Sequence, residues 1–155
     1  NKSDLFGALC ERATTPMRAM LDRLAQEPGK TPLESLKAET LYMLTHLAED
    51  RSLQSVFEVL LLRGDSGGEL ADVIAREEKN SAECRARLEN ILQAAIRTGE
   101  LPRQIDTQMA AIALKSFICG LMRQWLQTRD FDLAKLAPAM LDIFFAGLVQ
   151  SRLKS

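Results

Sequence analysis

Histidine, cysteine, glycine and proline are all scarce in this sequence of 155 residues: one His (His46), three Cys (Cys10, Cys84, Cys119), eight Gly and five Pro. Each scarcity narrows the chemistry. A single histidine leaves no histidine cluster for a metal ion. Three widely spaced cysteines form neither a disulfide framework nor a CxxC knuckle, and they read as reduced thiols of a cytoplasmic protein. Neither GxGxxG nor GxxxxGK[ST] occurs, and no serine is read as the centre of a nucleophile elbow. No catalytic residue, cofactor or metal is therefore expected. Charge of one sign is also lacking, with 20 Lys plus Arg against 21 Asp plus Glu and a net charge of −1. That balance suits a phosphate backbone poorly, because nucleic acid rewards a clustered positive excess. No apolar run approaches the ~18 residues of a membrane span, so no membrane partner is expected.

What is present is helical spacing of apolar residues from end to end, with no alternation of the kind a strand requires. The pattern predicts an all-α six-helix bundle, one domain over residues 1–155. The first helix runs from about Ser3 to Gln26, with Ser3 as N-cap and Asp4 suited to the positive helix start. Pro16 inside it predicts a kink. Glu27-Pro28-Gly29-Lys30 makes a turn. The second helix starts at Thr31-Pro32-Leu33-Glu34, which combines a Thr cap, Pro at the first helical position and Glu placed to close a capping box. It runs to about Ala48. The third covers about Leu53 to Leu62 and is broken by Arg63-Gly64-Asp65-Ser66-Gly67-Gly68. The fourth runs from about Glu69 to Arg97 and ends in Thr98-Gly99-Glu100-Leu101-Pro102. The fifth spans about Asp106 to Thr128. The sixth spans about Asp132 to Leu153, with Pro138 expected to disturb its first turn.

The fifth helix, which carries the only Trp, is apolar on two sides. One stripe is Ala110, Leu114, Phe117, Leu121 and Trp125. The next is Ala111, Lys115, Ile118, Cys119 and Met122. Small residues (Ala110, Ala111, Ala113, Ser116, Gly120) permit close approach of another helix. The sixth adds Leu133, Leu136, Met140, Leu141, Ile143, Phe144, Phe145 and Leu148. Two apolar sides need two covers, which points to the chain's own core and a second copy. Burial inside one bundle accounts for the same pattern and stays open at this point. Lys115 reads either as a snorkelling side chain or as a cation lining an internal cavity, with Glu39 and Thr40 as its polar counterparts. Glu77-Glu78-Lys79 with Arg76, Arg85 and Arg87 reads as a solvated face laced by i,i+4 pairs. His46 is expected half-buried or on a helix surface. The Met content suits a core or an adaptable pocket.

Ile118-Cys119-Gly120-Leu121-Met122, then Trp125-Leu126, then Phe131-Asp132-Leu133, resembles the C-terminal signature of TetR-family repressors. Within that family it is most similar to the AcrR-like branch, which controls multidrug efflux pumps. Gly99-Glu100-Leu101-Pro102 followed by Ala110-Ala111-Ile112 is similar to the same branch. Asn1-Lys2-Ser3-Asp4-Leu5-Phe6 resembles the segment that follows the family's helix-turn-helix. The resemblance implies the effector-binding and dimerisation domain of a repressor. A three-helix DNA-binding module of ~50 residues would precede Asn1, and operator DNA would be reached only through it. It further implies a homodimer whose last two helices form a four-helix interface, carried by Phe117, Leu121, Trp125, Met140, Phe144 and Leu148. A small-molecule pocket is implied between the first five helices. Its lining would be Leu36, Glu39, Thr40, Met43, Phe57, Leu60, Leu61, Cys84, Leu88, Lys115, Ile118, Cys119 and Met122, mostly apolar with a few polar points. Some relatives carry a pocket-side acid where this sequence has Ala13-Thr14-Thr15, so neutral or anionic aromatic effectors are expected over quaternary cations. Effector binding would displace the first helix and alter the spacing of the DNA-reading heads by population shift. The competing reading is a homodimeric helical interaction module without a small-molecule site, and a small all-α enzyme ranks last.

Overall fold

The structure is a computed structural model that describes residues 1–63 and 68–151. Residues 64–67 and 152–155, where the glycine-rich break and the end of the sixth helix are expected, lie outside the described residues. The described residues form six α-helices: α1 (Lys2–Ala25), α2 (Pro32–Glu49), α3 (Arg51–Glu58), α4 (Ala71–Arg97), α5 (Thr107–Thr128) and α6 (Leu133–Val149). Between α3 and the break, Val59–Arg63 continues as a single π-helical turn.

α2 is the central element, with α1, α3, α4 and α6 all packed on it. Leu33, Leu36, Thr40, Leu44 and Leu47 are buried at the three- and four-residue spacing of one helix face. Burying a leucine stabilises by about 1.5–3 kcal/mol, so this row is the main apolar anchor of the bundle. α5 lies beside α4 and adds Ala110, Ala111, Leu114, Ile118 and Met122 to the same core. α6 lies against α2 through Leu133, Ala137, Leu141 and Phe145.

The helix ends show what the chain's local chemistry does. Thr31 accepts from the Glu34 amide at 3.3 Å while Glu34 accepts from the Thr31 amide at 3.2 Å, closing the expected capping box. A second acid reinforces this end from far along the chain. Glu100 accepts from the Leu33 amide at 3.2 Å and from the Thr31 hydroxyl at 2.5 Å. Asp106 caps α5 by accepting from the Gln108 and Met109 amides at 3.0 and 3.1 Å.

Several expectations are corrected. Asn1, not Ser3, caps α1, accepting from the Asp4 amide at 2.9 Å. α4 begins at Ala71 rather than Glu69, with no side-chain cap. α1 continues through Pro16, which sits on an exposed stretch where water can serve the carbonyl that loses its partner, so the proline does not end the helix. Pro138 likewise leaves α6 regular from Leu133, because the first turn is fixed by Asp132 capping Lys135 at 3.1 Å. α5 ends in a left-handed residue, and that residue is Arg129 (φ 51°) rather than a glycine. The left-handed backbone costs about 1–2 kcal/mol. Its guanidinium offsets this by donating to Gln54 Oε1 at 2.9 Å and Glu58 Oε1 at 2.5 Å, and by lying 4.7 Å above the Trp125 ring.

Candidate functional site

The residues expected to line an effector pocket come from α2, the α3–π segment, α4 and α5, and they are not all alike in burial. Leu36, Glu39, Thr40, Leu88, Ile118 and Met122 are buried. Met43, Phe57, Leu60 and Leu61 are half-buried and packed against the same core. Lys115 and Cys119 are half-buried on α5, while Cys84 on α4 is exposed.

The polar members pair differently from the expectation. Lys115 donates to the Ser81 carbonyl at 2.7 Å and also contacts the Ser81 hydroxyl. Glu39 and Thr40 are not its counterparts. Glu39 is paired with Arg87 of α4 at 2.7 Å, and the Thr40 hydroxyl donates to the Leu36 carbonyl at 2.8 Å. The cause is spatial: α4 lies between the polar face of α2 and the outer side of α5, and supplies a nearer partner to each. Burial pushes the Glu39 carboxyl above its ordinary value, with Arg87 opposing and Asp22 adding to the rise. Burial also pushes the Cys119 thiol up, with Lys115 opposing and Cys84 reinforcing it. At Cys10, burial raises the thiol to about 11, which keeps it protonated and unreactive at neutral pH. The charged face of α4 differs from the expected i,i+4 lacing too. Arg76 reaches Glu11 of α1 at 3.6 Å and Arg87 reaches Glu39, so both cations tie helices together.

Two open grooves flank this core. The larger, ≈ 660 Å³, lies between α1 and the α2–α3 corner and is lined by Phe6, Leu9, Pro16, His46, Val56 and Val59 among others. His46 is half-buried as expected, stacked on Tyr42 at 5.4 Å and 3.6 Å from Asp50. The smaller groove, ≈ 430 Å³, lies between α2 and α4 and takes Glu39 from the expected lining. Gly64-Asp65-Ser66-Gly67-Gly68 does have the spacing of a GxSxG frame, which corrects the expectation that no serine carries one. The preceding Val59–Arg63 is helical, whereas a nucleophile elbow follows a strand, and residues 64–67 lie outside the described residues. Among the described residues, no group of His, Cys, Asp and Glu is placed to hold a metal ion, and no helix is long and apolar enough to cross a membrane.

The residues expected at a dimer interface divide into two groups. Phe117, Leu121, Met140 and Phe144 are half-buried, and the Phe117 and Phe144 rings join α5 to α6 at 5.3 Å. Trp125 and Leu148 are buried inside the chain itself, and the Trp125 indole N–H donates to the Phe131 carbonyl at 3.0 Å. Sequence reasoning did not select the exposed large apolar residues of these helices, Met109, Ile112, Leu136, Ile143 and Val149, of which Ile143 is 74% exposed. Leu136, Met140 and Ile143 recur at helical spacing, which was the available signal.

A family model for the C-terminal region of MAATS-type transcriptional repressors matches residues 31–149. The chain belongs to the TetR family. This TetR-family chain is 30% identical over 139 residues to the HTH-type transcriptional regulator AcrR of Shigella flexneri, covering 88% of this chain and 64% of that protein. It is 29% identical over 134 residues to the HTH-type transcriptional repressor BepR of Brucella suis biovar 1, covering 86% and 64%. The chain thus spans just under two thirds of the length of these relatives, which are named as transcriptional regulators rather than enzymes. The solved structure of NalD, the secondary repressor of the MexAB-OprM multidrug efflux pump in Pseudomonas aeruginosa, matches with a TM-score of 0.83 at 25% identity. That match covers 98% of this chain and 77% of NalD. SmeT, the repressor of the Stenotrophomonas maltophilia efflux pump SmeDEF, matches with a TM-score of 0.76 at 22% identity, covering 100% and 86%, and speaks to fold alone.

Proposed function

We propose that this domain is the effector-sensing and dimerising part of a TetR-family repressor of a multidrug efflux pump. The observation that carries the reading is the apolar face of α5 and α6. Leu136 and Ile143 stand exposed on α6, the helix whose half-buried Phe144 meets Phe117 of α5. Exposed apolar side chains at helical spacing mark an interaction face, and self-association through a two-fold axis covers it on both copies at once. The interior site between α2, α3, α4 and α5 takes a small aromatic or amphipathic effector among Leu36, Phe57, Leu88, Ile118 and Met122. The exposed apolar rim of α1, Leu5 and Leu9, beside the larger groove, is the surface assigned to a DNA-reading part such as those of the helix-turn-helix relatives. Effector binding acts by favouring an arrangement in which α1 is displaced, so its effect equals its differential affinity for the two arrangements.

The test is solution mass. The chain is expected to run as a dimer by light scattering, and Ile143→Glu is expected to yield a folded monomer, since a charge desolvated at an apolar interface is strongly unfavourable. A wild-type monomer at ~100 μM, far above the concentration at which a stable interface dissociates, rejects the reading. A dimer whose melting temperature ignores aromatic compounds favours the interaction module without an effector.

A further inference from the structure

We infer that the groove between α2 and α4 is a binding site for a small organic anion, which shares Glu39 with the expected interior lining but does not rest on that reading. Its volume of ≈ 430 Å³ lies in the range of small-molecule sites. The arrangement of one ion pair sets its preference. The Glu39 side chain is only 6% exposed, whereas that of its partner Arg87 is 43% exposed. Both side chains line the groove, but the carboxylate is almost wholly covered, so the guanidinium is the charge a molecule in the groove meets more fully. Guanidinium carries five N–H donors in a planar fork. Among the described residues, the bond to Glu39 is the one recorded for Arg87, which leaves the rest of the fork for a ligand. Glu39 therefore acts as a positioning residue that holds the fork in place.

The surroundings suit a small anion with an apolar body. Ser35 and Asn90 add a hydroxyl and an amide to the lining, and Ile91 and Ala94 add an apolar wall. Lys30 also lines the groove, paired with Glu27 at 2.8 Å. A carboxylate or phosphate monoester can be gripped by two parallel N–H bonds, and these charge-assisted bonds are the strong ones. An organic cation is disfavoured, because the more exposed charge of the pair is the Arg87 cation and the Glu39 carboxylate is already paired.

The experiment is an amide NMR titration of the 155-residue chain with benzoate, phenyl phosphate and the uncharged benzamide. Saturable shifts at Ser35 and Ile91 are expected with one or both anions and not with benzamide; the tighter of the two identifies carboxylate or phosphate as the natural head group. Asn90→Asp places a negative charge on an exposed position of the groove without disturbing the core, and is expected to weaken binding about tenfold. The double substitution Glu39→Gln with Arg87→Gln removes the pair without leaving a buried charge alone, and is expected to abolish the response. Equal response to benzamide, no saturable shift with either anion, or undiminished binding by Asn90→Asp overturns the inference.

Discussion

From Leu88 to Arg97, α4 sets Leu88, Leu92 and Ala95 into the core, while from Ile74 to Arg87 the same helix buries no residue at all. The two stretches are held by different forces. The later one is fastened by apolar packing. The earlier one is fastened by Arg76 to Glu11, by Lys115 to the Ser81 carbonyl, and at its boundary by Arg87 to Glu39. Partly exposed ion pairs contribute about 0–1 kcal/mol and are screened by salt, whereas a buried leucine contributes about 1.5–3 kcal/mol and is not. Between Val73, buried at its start, and Leu88, this stretch is thus the part of α4 expected to open first. It carries Ser81, whose carbonyl accepts from Lys115 of α5.

Three measurements test this contrast. Leu92→Ala should cost the most, about 2–5 kcal/mol in denaturant unfolding, because Leu92 has no exposed surface and the cavity has little to collapse into. A loss below about 1 kcal/mol would mean that the later half is not the anchor. Lys115→Met should cost less, about 0.5–1.5 kcal/mol, the worth of an ordinary hydrogen bond. Its mark should be local: amide exchange should quicken from Ile74 to Arg87 and stay unchanged from Leu88 to Arg97. Uniform quickening along α4 would refute the division. The smallest effect is one of pH. Burial raises the folded-state pKa of Glu39 above its ordinary value of 4.5, so its contribution to stability is complete below that value and is lost as pH rises through the raised one. Wild type should therefore lose stability relative to Glu39→Gln as pH climbs through that window. A gap that instead widens in favour of wild type would show Arg87 outweighing burial.

The fold was readable where its signals were local. Thr31, Pro32 and Glu34 announce the start of α2 within four residues, and the apolar periodicity of α2, α5 and α6 marks most of what is buried. What escaped depended on partners distant in sequence. Nothing near Arg129 announces that its guanidinium will meet Gln54 and Glu58, so a left-handed arginine could not be foreseen. Nothing near Glu39 chooses Arg87 over Lys115. Pro138 misled because the first turn of α6 is fixed by the Asp132 cap, which the proline does not disturb. For the candidate site, register placed Leu36, Ile118 and Met122 on inward faces; Cys84 shares the Leu88–Leu92 stripe, but it lies on the stretch of α4 that buries nothing, and no local signal marks where that stretch ends. Leu136 and Ile143 were visible as a stripe, yet a stripe does not say which side the chain covers for itself.

The bonds from Glu100 to Thr31 and Leu33 also impose an order in time. A chain made at ~5–20 residues per second brings out α2 several seconds before the acid that completes its cap, 67 positions after Leu33, has been polymerised. During that interval the Leu33 amide is served by water, and the outer turn of the central helix rests on Thr31 and Glu34 alone. The helix on which α1, α3, α4 and α6 pack is thus finished from behind, by the turn that joins α4 to α5.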